Sequence, residues 1–326
     1  MKRIALIIPY IGKFNPDFDF WIKTVEYNPT IDFILITDNN LIAPPHNLKI
    51  IKTTFEELKK RFQNQFDFKL CIKSPYKFCD LRPCFGEVFA PELQDYDFWG
   101  HTDMDMIYGD LRAYLPDEIL EHNDKIYALG HFSLYRNIPE INSLYRSVNK
   151  PTFKQVFSFS EGCAFDEFYG VGNYWFKNHR QRFYINYPYD DVDYQMPYFE
   201  ANMRRLELAG HSNFIYSFEK GKLYRYSVFN NQIVKNEIMY AHFQKRSMQI
   251  CTDVADEFMV IPNKYIRPEK QLTVRKMHEM TVGVPVSKIR IFKQRASNKI
   301  RKLFFSTILN GEKKPKVINA AKYYQE

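Results

Sequence analysis

Asp103-Met104-Asp105 sets two carboxylates two residues apart at the end of an aromatic, strand-like run, Asp97-Phe98-Trp99-Gly100-His101-Thr102. Alternate side chains of a strand share a face, so the spacing predicts that Asp103 and Asp105 point to the same side. Two unpaired carboxylates this close repel each other. A hard divalent cation that prefers oxygen ligands, Mn²⁺ or Mg²⁺, relieves the repulsion. Surface turns also carry Asp-x-Asp triplets, and the spacing leaves both readings open. The aromatic flank favours a buried strand running into a site. A second acidic pair, Asp166 and Glu167, lies among Phe165, Phe168 and Tyr169. Desolvation there can raise a carboxyl pKa and fit it for general-base work, while a helix cap at Asp166 is the structural alternative. Tyr189-Asp190-Asp191-Val192-Asp193 reads mainly as a solvated turn, with a role in the site as the lesser alternative.

The elements that must position these groups alternate between strand and helix. Residues 3–9 are β-branched and apolar, 17–27 read as helix closed by Asn28-Pro29, and 31–37 form a second strand ending at Asp38. The unit repeats with a strand at 48–52, a helix at 54–64 that Thr54 can cap onto Glu57, and a helix at 76–89. This succession predicts an α/β fold with a mostly parallel sheet covered on both faces, and ligands bind such sheets at the carboxyl ends of their strands. Tyr10, Asp38, Asp103 and Asp105 all fall there. A strand is expected at 182–187. A hairpin is expected across Asn230-Asn231, from 223–228 to 233–242, with His242 at its end. With 12 glycines and neither Gly-x-Gly-x-x-Gly nor Gly-x-x-x-x-Gly-Lys-Ser/Thr, a dinucleotide fingerprint or a P-loop is disfavoured.

The 326 residues are 45% hydrophobic and 26% charged, which suits a soluble globular chain rather than a disordered one. Five cysteines without metal-type spacing point to a reducing compartment. The start, Met1 to Tyr10, has a basic end and a short apolar run without a cleavage site, and reads as the first strand. No run reaches the roughly 20 apolar residues of a spanning helix. The expected location is therefore cytoplasmic, either free or peripheral on the inner face of the cytoplasmic membrane. The net charge of +8 is concentrated in the tail: from Lys264 on, 16 basic residues face 4 acidic ones, so the preceding part is net acidic. Residues 286–309 can be drawn as a basic amphipathic helix, suited to an anionic membrane surface or to the protein's own core.

Five features together, Ile8-Pro9-Tyr10, Thr37-Asp38, Lys77-Phe78-Cys79-Asp80-Leu81-Arg82, Asp103-Met104-Asp105 and His242-Phe243-Gln244-Lys245, resemble the GT-A glycosyltransferases, in particular small bacterial enzymes that build surface polysaccharides. The resemblance covers about residues 1–250. It implies a GT-A, Rossmann-like domain with a nucleotide-sugar half at 1–112 ending in the Asp-x-Asp strand and an acceptor half at 113–250. A basic C-terminal helical extension follows at 251–326. It further implies a metal-dependent hexosyltransferase that moves a sugar from a nucleotide-diphosphate-sugar, a UDP-sugar first among them, to a glycan or lipid-linked acceptor.

In that reading Pro9, Tyr10 and Asp38 meet the base and ribose, and Lys77, Asp80 and Arg82 lie near the ribose or sugar. Asp103, Asp105 and His242 ligate Mn²⁺ or Mg²⁺, with Asp103 also able to reach the ribose, and Lys245 neutralises the diphosphate. Asp166 or Glu167 activates or positions the acceptor hydroxyl, with Phe165, Phe168 and Tyr169 available to stack a sugar face. No nucleic-acid partner is expected. The alternative class is a non-catalytic basic protein that binds RNA or an anionic membrane through its tail. A metal phosphoesterase would need more His and Asp ligands at strand ends.

Overall fold

A run without charge, Ile4–Tyr10, forms the central strand β1 of the computed structural model, which describes residues 1–167, 170–194, 196–200 and 208–281 together with Ala296, Lys299 and Leu303. Its side chains divide between two cores, Ala5 and Ile7 into one, Ile4, Leu6 and Ile8 into the other. That alternation of apolar groups is what a strand covered on both faces requires. Strands β2 (Ile31–Thr37) and β3 (Leu48–Lys52) extend β1 in parallel on one side, and β4 (Phe98–Thr102) runs parallel on the other. Helix α1 (Phe18–Glu26) buries Trp21 and Val25 on one face, while α2 (Phe55–Gln63) buries Leu58 and Phe62 on the opposite face. The expected box at the start of α2 is present: Glu57 N–H bonds the Thr54 hydroxyl and the Glu57 carboxylate accepts from Thr54 N–H, so two otherwise unpaired backbone donors are satisfied.

Beyond β4 the chain makes β5 (Met106–Tyr108), then the hairpin of β6 (Lys125–Leu129) and β7 (Phe132–Arg136), then the short β8 (Phe183–Tyr184) and β9 (Asp190–Asp191). The central sheet has the order β3-β2-β1-β4-β7-β6-β8, with β7 antiparallel to both neighbours. Strands β4 and β7 close tightly at Gly100, where a Cβ would come within 2.3 Å of the Ser133 carbonyl oxygen. The remaining strands are β10 (Ser212–Glu219), β11 (Lys222–Phe229), β12 (Gln232–Ile238), β13 (Tyr240–His242), β14 (Gln249–Ile250), β15 (Glu257–Ile261) and β16 (Lys264–Ile266). They form a six-stranded sheet ordered β12-β11-β10-β15-β16-β14, and β13 leaves it to sit between β5 and β9. The β11/β12 turn uses Asn230 and Asn231 at φ 47° and 57°, as that residue pair tolerates.

The architecture is mixed α/β with a large parallel-rich sheet and helices on both faces, compatible with a Rossmann-like fold. Four expectations are corrected. The helix at 76–89 is a chain of single turns, with α3 (Phe78–Leu81) ending just before Arg82-Pro83, where proline removes a backbone donor. The Asp97 strand stops at Thr102, so Asp103 to Asp105 form a bend rather than strand. The strand at 182–187 shrinks to Phe183–Tyr184. The extension expected from residue 251 opens with β15 and β16 inside the six-stranded sheet, and the helix Val274–Met280 packs Met277 and Met280 against Ile215, Val228 and Met259. The basic helix at 286–309 lies outside the described residues apart from Ala296, Lys299 and Leu303. Among the described residues no helix is long and apolar enough to cross a membrane.

Candidate metal centre and active site

The bend after β4 is fixed by backbone bonds. Asp103 N–H donates to the His131 carbonyl at 3.1 Å, and the Tyr108 hydroxyl donates to the Asp103 carbonyl at 3.1 Å. The bend, rather than strand alternation, sets the two carboxylates beside one another. Strand β5 then pairs antiparallel with β13, placing His242 opposite Met106. Phe243 N–H reaches the Asp105 carbonyl at 2.8 Å, and Lys245 N–H reaches the Asp105 carboxylate at 3.2 Å. Backbone pairing thus carries His242 across 137 positions of sequence to an Nε2 distance of 3.2 Å from Asp105 and 3.8 Å from Asp103. One ligand atom from each of the three residues lies within 4.8 Å of the other two.

Strand β9 runs parallel beside β13 and sets Asp191 next to His242. His242 Nδ1 donates to Asp191 Oδ1 at 2.8 Å, and because an ionised carboxylate only accepts, Nδ1 carries the proton and Nε2 faces the Asp103/Asp105 pair. A carboxylate behind a histidine in this way orients metal-ligating imidazoles and raises their basicity. Burial opposes the charge on His242, but Asp105 and Asp191 outweigh it and hold the imidazole well above its ordinary range. Burial also pushes Asp105 up, yet His242 and the Lys245 N–H bring it down to about 2. Asp103 is raised by burial, against the pull of Arg82. Two carboxylates and one neutral imidazole fit Mn²⁺ or Mg²⁺, the hard ions such a donor set selects.

Arg82 joins this centre to the second acidic pair. Its guanidinium contacts the Asp103 carboxylate on one side and Asp166 at 2.9 Å on the other. Asp166 is buried, and burial lifts its pKa to about 7 despite Arg82. Glu167 accepts from Gly130 N–H at 3.1 Å and is raised by burial as well. Gly130 has no room for a side chain: a Cβ would stand 2.5 Å from Asp166 Oδ2 and 2.8 Å from both Arg82 and Glu167. Phe165 is fully buried in the core beside Phe157, so its ring is not available to stack on a ligand. Phe168 and Tyr169 lie outside the described residues.

The remaining candidates separate into two groups. Tyr10 and Asp38 stand at the carboxyl ends of β1 and β2: the Tyr10 hydroxyl donates to the Lys13 carbonyl at 3.1 Å, and exposed Asp38 accepts from Gly12 N–H at 2.9 Å. Pro9, Tyr10, Arg82 and Asp103 line a cavity of about 60 Å³ together with Cys79 and Met104. Lys245 Nζ lies 5.3 Å from the Tyr194 ring and 6.0 Å from that of Tyr76. Lys77 and Asp80, in contrast, form a buried ion pair at 2.8 Å with side chains 1% exposed. Lys77 also donates to the Val156 and Glu161 carbonyls, and Asp80 accepts from Cys163 and Phe165 N–H. They brace the segment leading to Asp166 instead of facing solvent.

Three further residues belong at or beside the centre, two of them expected mainly in a turn and one not singled out by the sequence. Asp190 and Asp191 are not a solvated turn: Asp190 is buried against Arg225 at 2.8 Å, and Asp191 backs His242. The apolar Tyr187, Tyr189 and Val192 around them are the signal of burial, since a solvated turn has no need of three large apolar neighbours. His131, in the β6/β7 turn, stacks at 4.5 Å from the His242 ring, and nothing in its local sequence marks it.

Comparison with known proteins yields three findings. No curated protein matches the chain. Among solved structures, the galactosyltransferase LgtC in complex with donor and acceptor sugar analogues is 14% identical, with a TM-score of 0.28, and the match covers 44% of this chain and 63% of that one. The chain therefore spans somewhat less than two thirds of that structure's length. A family model, described as a family of unknown function, DUF6625, matches residues 6–269, a stretch that runs from β1 to past β16 and includes every residue of the centre. The chain belongs to this family.

Proposed function

We propose that the chain is a metal-dependent glycosyltransferase of the hexosyltransferase type. It would move a sugar from a nucleotide-diphosphate-sugar, a UDP-sugar first among the candidates, to a glycan or lipid-linked acceptor of cell-surface polysaccharide synthesis. The observation that carries the reading is the convergence of Asp103, Asp105 and His242 at the carboxyl end of β4, on the sheet edge where Tyr10 and Asp38 end β1 and β2. Asp103, Asp105 and His242 would hold Mn²⁺ or Mg²⁺. The bound ion supplies charge neutralisation for the leaving diphosphate.

The chain's own residues supply the rest. Asp191 holds the His242 ring so that Nε2 faces the two carboxylates. Tyr10 and Asp38 offer a ring and an acceptor to base and ribose, and Lys245 offers an ammonium to the diphosphate. Arg82 fixes the distance between the donor side at Asp103 and the acceptor side at Asp166. Asp166, with its pKa lifted to about 7, is matched to taking a proton from an acceptor hydroxyl near neutral pH. Residues 1–112 form the donor half and 113–250 the acceptor half in this reading. In this reading the basic tail is the part that would meet an anionic membrane surface, with the enzyme peripheral on the cytoplasmic face.

The test is a panel of nucleotide-sugars assayed by melting temperature with and without Mn²⁺, since a tight ligand stabilises the folded chain by mass action. One nucleotide-sugar should raise the melting temperature only when Mn²⁺ is present. A panel in which none does, with Mn²⁺ or Mg²⁺ supplied, removes the reading.

A further inference from the structure

His131 is 4% exposed, and its ring lies 4.5 Å from that of His242, tilted by 36°. Its Nδ1 is 3.1 Å from the Tyr240 hydroxyl, while its Nε2 is buried and has no hydrogen-bond partner among the described residues. A buried polar atom left unmatched costs about 1–3 kcal/mol, so a vacant nitrogen beside a histidine and a carboxylate calls for a ligand of its own. A ring nitrogen of His131, a carboxylate oxygen of Asp191 and a ring nitrogen of His242 lie within 4.8 Å of one another. We propose that His131, Asp191 and His242 form a second cation position, suited to a borderline ion such as Zn²⁺, which shares His242 with the Asp103/Asp105 position and excludes occupation of it.

The donor sets separate the two ions. Two imidazoles with one carboxylate are a zinc set, bound at about 2.0–2.2 Å in tetrahedral array, which leaves ligand atoms roughly 3.3 Å apart. Two carboxylates with one imidazole favour Mn²⁺ or Mg²⁺. His242 Nδ1 and Asp191 Oδ1, now 2.8 Å apart around a proton, need to separate by only about half an ångström to admit zinc. In that exchange the Nδ1–H bond breaks and its proton leaves to solvent as the Zn–N and Zn–O bonds form, while Nε2 takes up a proton from solvent, so the imidazole stays neutral. Nε2, the atom that faces Asp105 at 3.2 Å, then carries the ring's one proton and has no lone pair for a second ion. Only the exclusion rests on the reading of Asp103, Asp105 and His242 as a hard-cation position. The zinc position itself does not.

The full chain, stripped with a chelator, is titrated with Zn²⁺ against a chromophoric competitor as wild type, His131→Phe and Asp105→Asn. Mn²⁺ is followed in parallel by the spin resonance of the free ion. Zn²⁺ affinity should fall at least about tenfold in His131→Phe, the scale on which metal sites respond to lost supporting groups, and fall by much less in Asp105→Asn, whose carboxylate is not a ligand of this position. Zn²⁺ added to the Mn²⁺-loaded wild type should release Mn²⁺. X-ray absorption of the Zn²⁺-loaded wild type should count two imidazoles, a measurement that holds even if His131→Phe does not fold. A single imidazole overturns the proposal, as does Zn²⁺ binding that His131→Phe keeps and Asp105→Asn loses, or Zn²⁺ and Mn²⁺ bound together. Zinc held by two imidazoles in a chain that binds no Mn²⁺ supports this zinc position while removing the glycosyltransferase reading.

Discussion

Asp80→Asn separates a bracing role from a ligand-binding one. Asp80 and Lys77 are a pair with 1% exposed side chains, and Asp80 also receives the N–H groups of Cys163 and Phe165. The amide cannot neutralise the Lys77 ammonium, which keeps only the Val156 and Glu161 carbonyls, and its NH₂ faces an N–H where an acceptor stood. Stranding one member of a buried pair costs about 3–5 kcal/mol. Between the two braced amides, Ala164 sits at φ 54°, a left-handed conformation that a non-glycine residue keeps only when its surroundings hold it. The expected loss is therefore about 3–5 kcal/mol, a large part of the 5–15 kcal/mol by which domains are usually stable. Urea unfolding measures it. Adding Lys77→Met to Asp80→Asn should recover part of the loss by removing the stranded charge. An Asp80→Asn protein with wild-type stability that no longer binds a nucleotide-sugar would refute this reasoning and return Asp80 to the donor site.

The other predictions concern the centre itself. Asp105→Asn should abolish Mn²⁺-dependent nucleotide-sugar binding in a chain that still folds; wild-type turnover would remove Asp105 from the centre. His242→Ala should weaken Mn²⁺ and nucleotide together, whereas Lys245→Ala should weaken nucleotide-diphosphate affinity and leave Mn²⁺ affinity largely intact; two calorimetric titrations per variant distinguish these. Asp166 binds a proton in the folded chain up to about pH 7, whereas an unfolded Asp releases it near pH 4, so its contribution to stability should decline as pH rises from about 4 to 7. Asp166→Asn should flatten that part of the stability profile and depress transfer while sparing donor binding; a profile and transfer rate equal to wild type would remove it from both roles. Truncation before Val286 should weaken salt-sensitive binding to anionic vesicles without affecting donor binding, and unchanged vesicle binding would remove the tail from membrane contact.

The legible parts of the sequence were those governed by local physics. Strands at 31–37 and 48–52 coincide with β2 and β3 because apolar β-branched runs bounded by turn residues admit few other structures. The Thr54/Glu57 box and the Asn230-Asn231 turn were legible because each is completed within a few residues. The run from Tyr76 to Phe89 is not one helix, because Pro83 lacks a backbone donor and the chain there breaks into single turns. The adjacency of Asp103 and Asp105 was read for a reason that does not hold, since a bend tied to His131 brings them together. The partnership of Asp191 and His131 with His242 was illegible for a different reason. Their meaning comes from β9 and the β6/β7 turn meeting β13, contacts set by non-local pairing that no window of sequence contains.

The charge balance of the centre ties its two halves together. Asp103, Asp105, Asp166, Glu167 and Asp191 converge around Arg82 and His242. Without an added cation the negative groups outnumber these two positive ones. Burial raises Asp103 and Glu167 and lifts Asp166 to about 7, with neighbouring carboxylates adding to the rise, while Asp105 and Asp191 hold His242 charged against burial. A diphosphate would add further negative charge to a pocket whose guanidinium is already divided between Asp103 and Asp166. On the proposed function, nucleotide affinity must therefore depend on the cation, and by linkage the nucleotide must tighten the cation by the same factor. Because Arg82 spans both carboxylates, any neutralisation of Asp103 also frees guanidinium charge for Asp166. That favours the ionised form a general base requires, so occupation of the donor side and readiness of the acceptor side rise together.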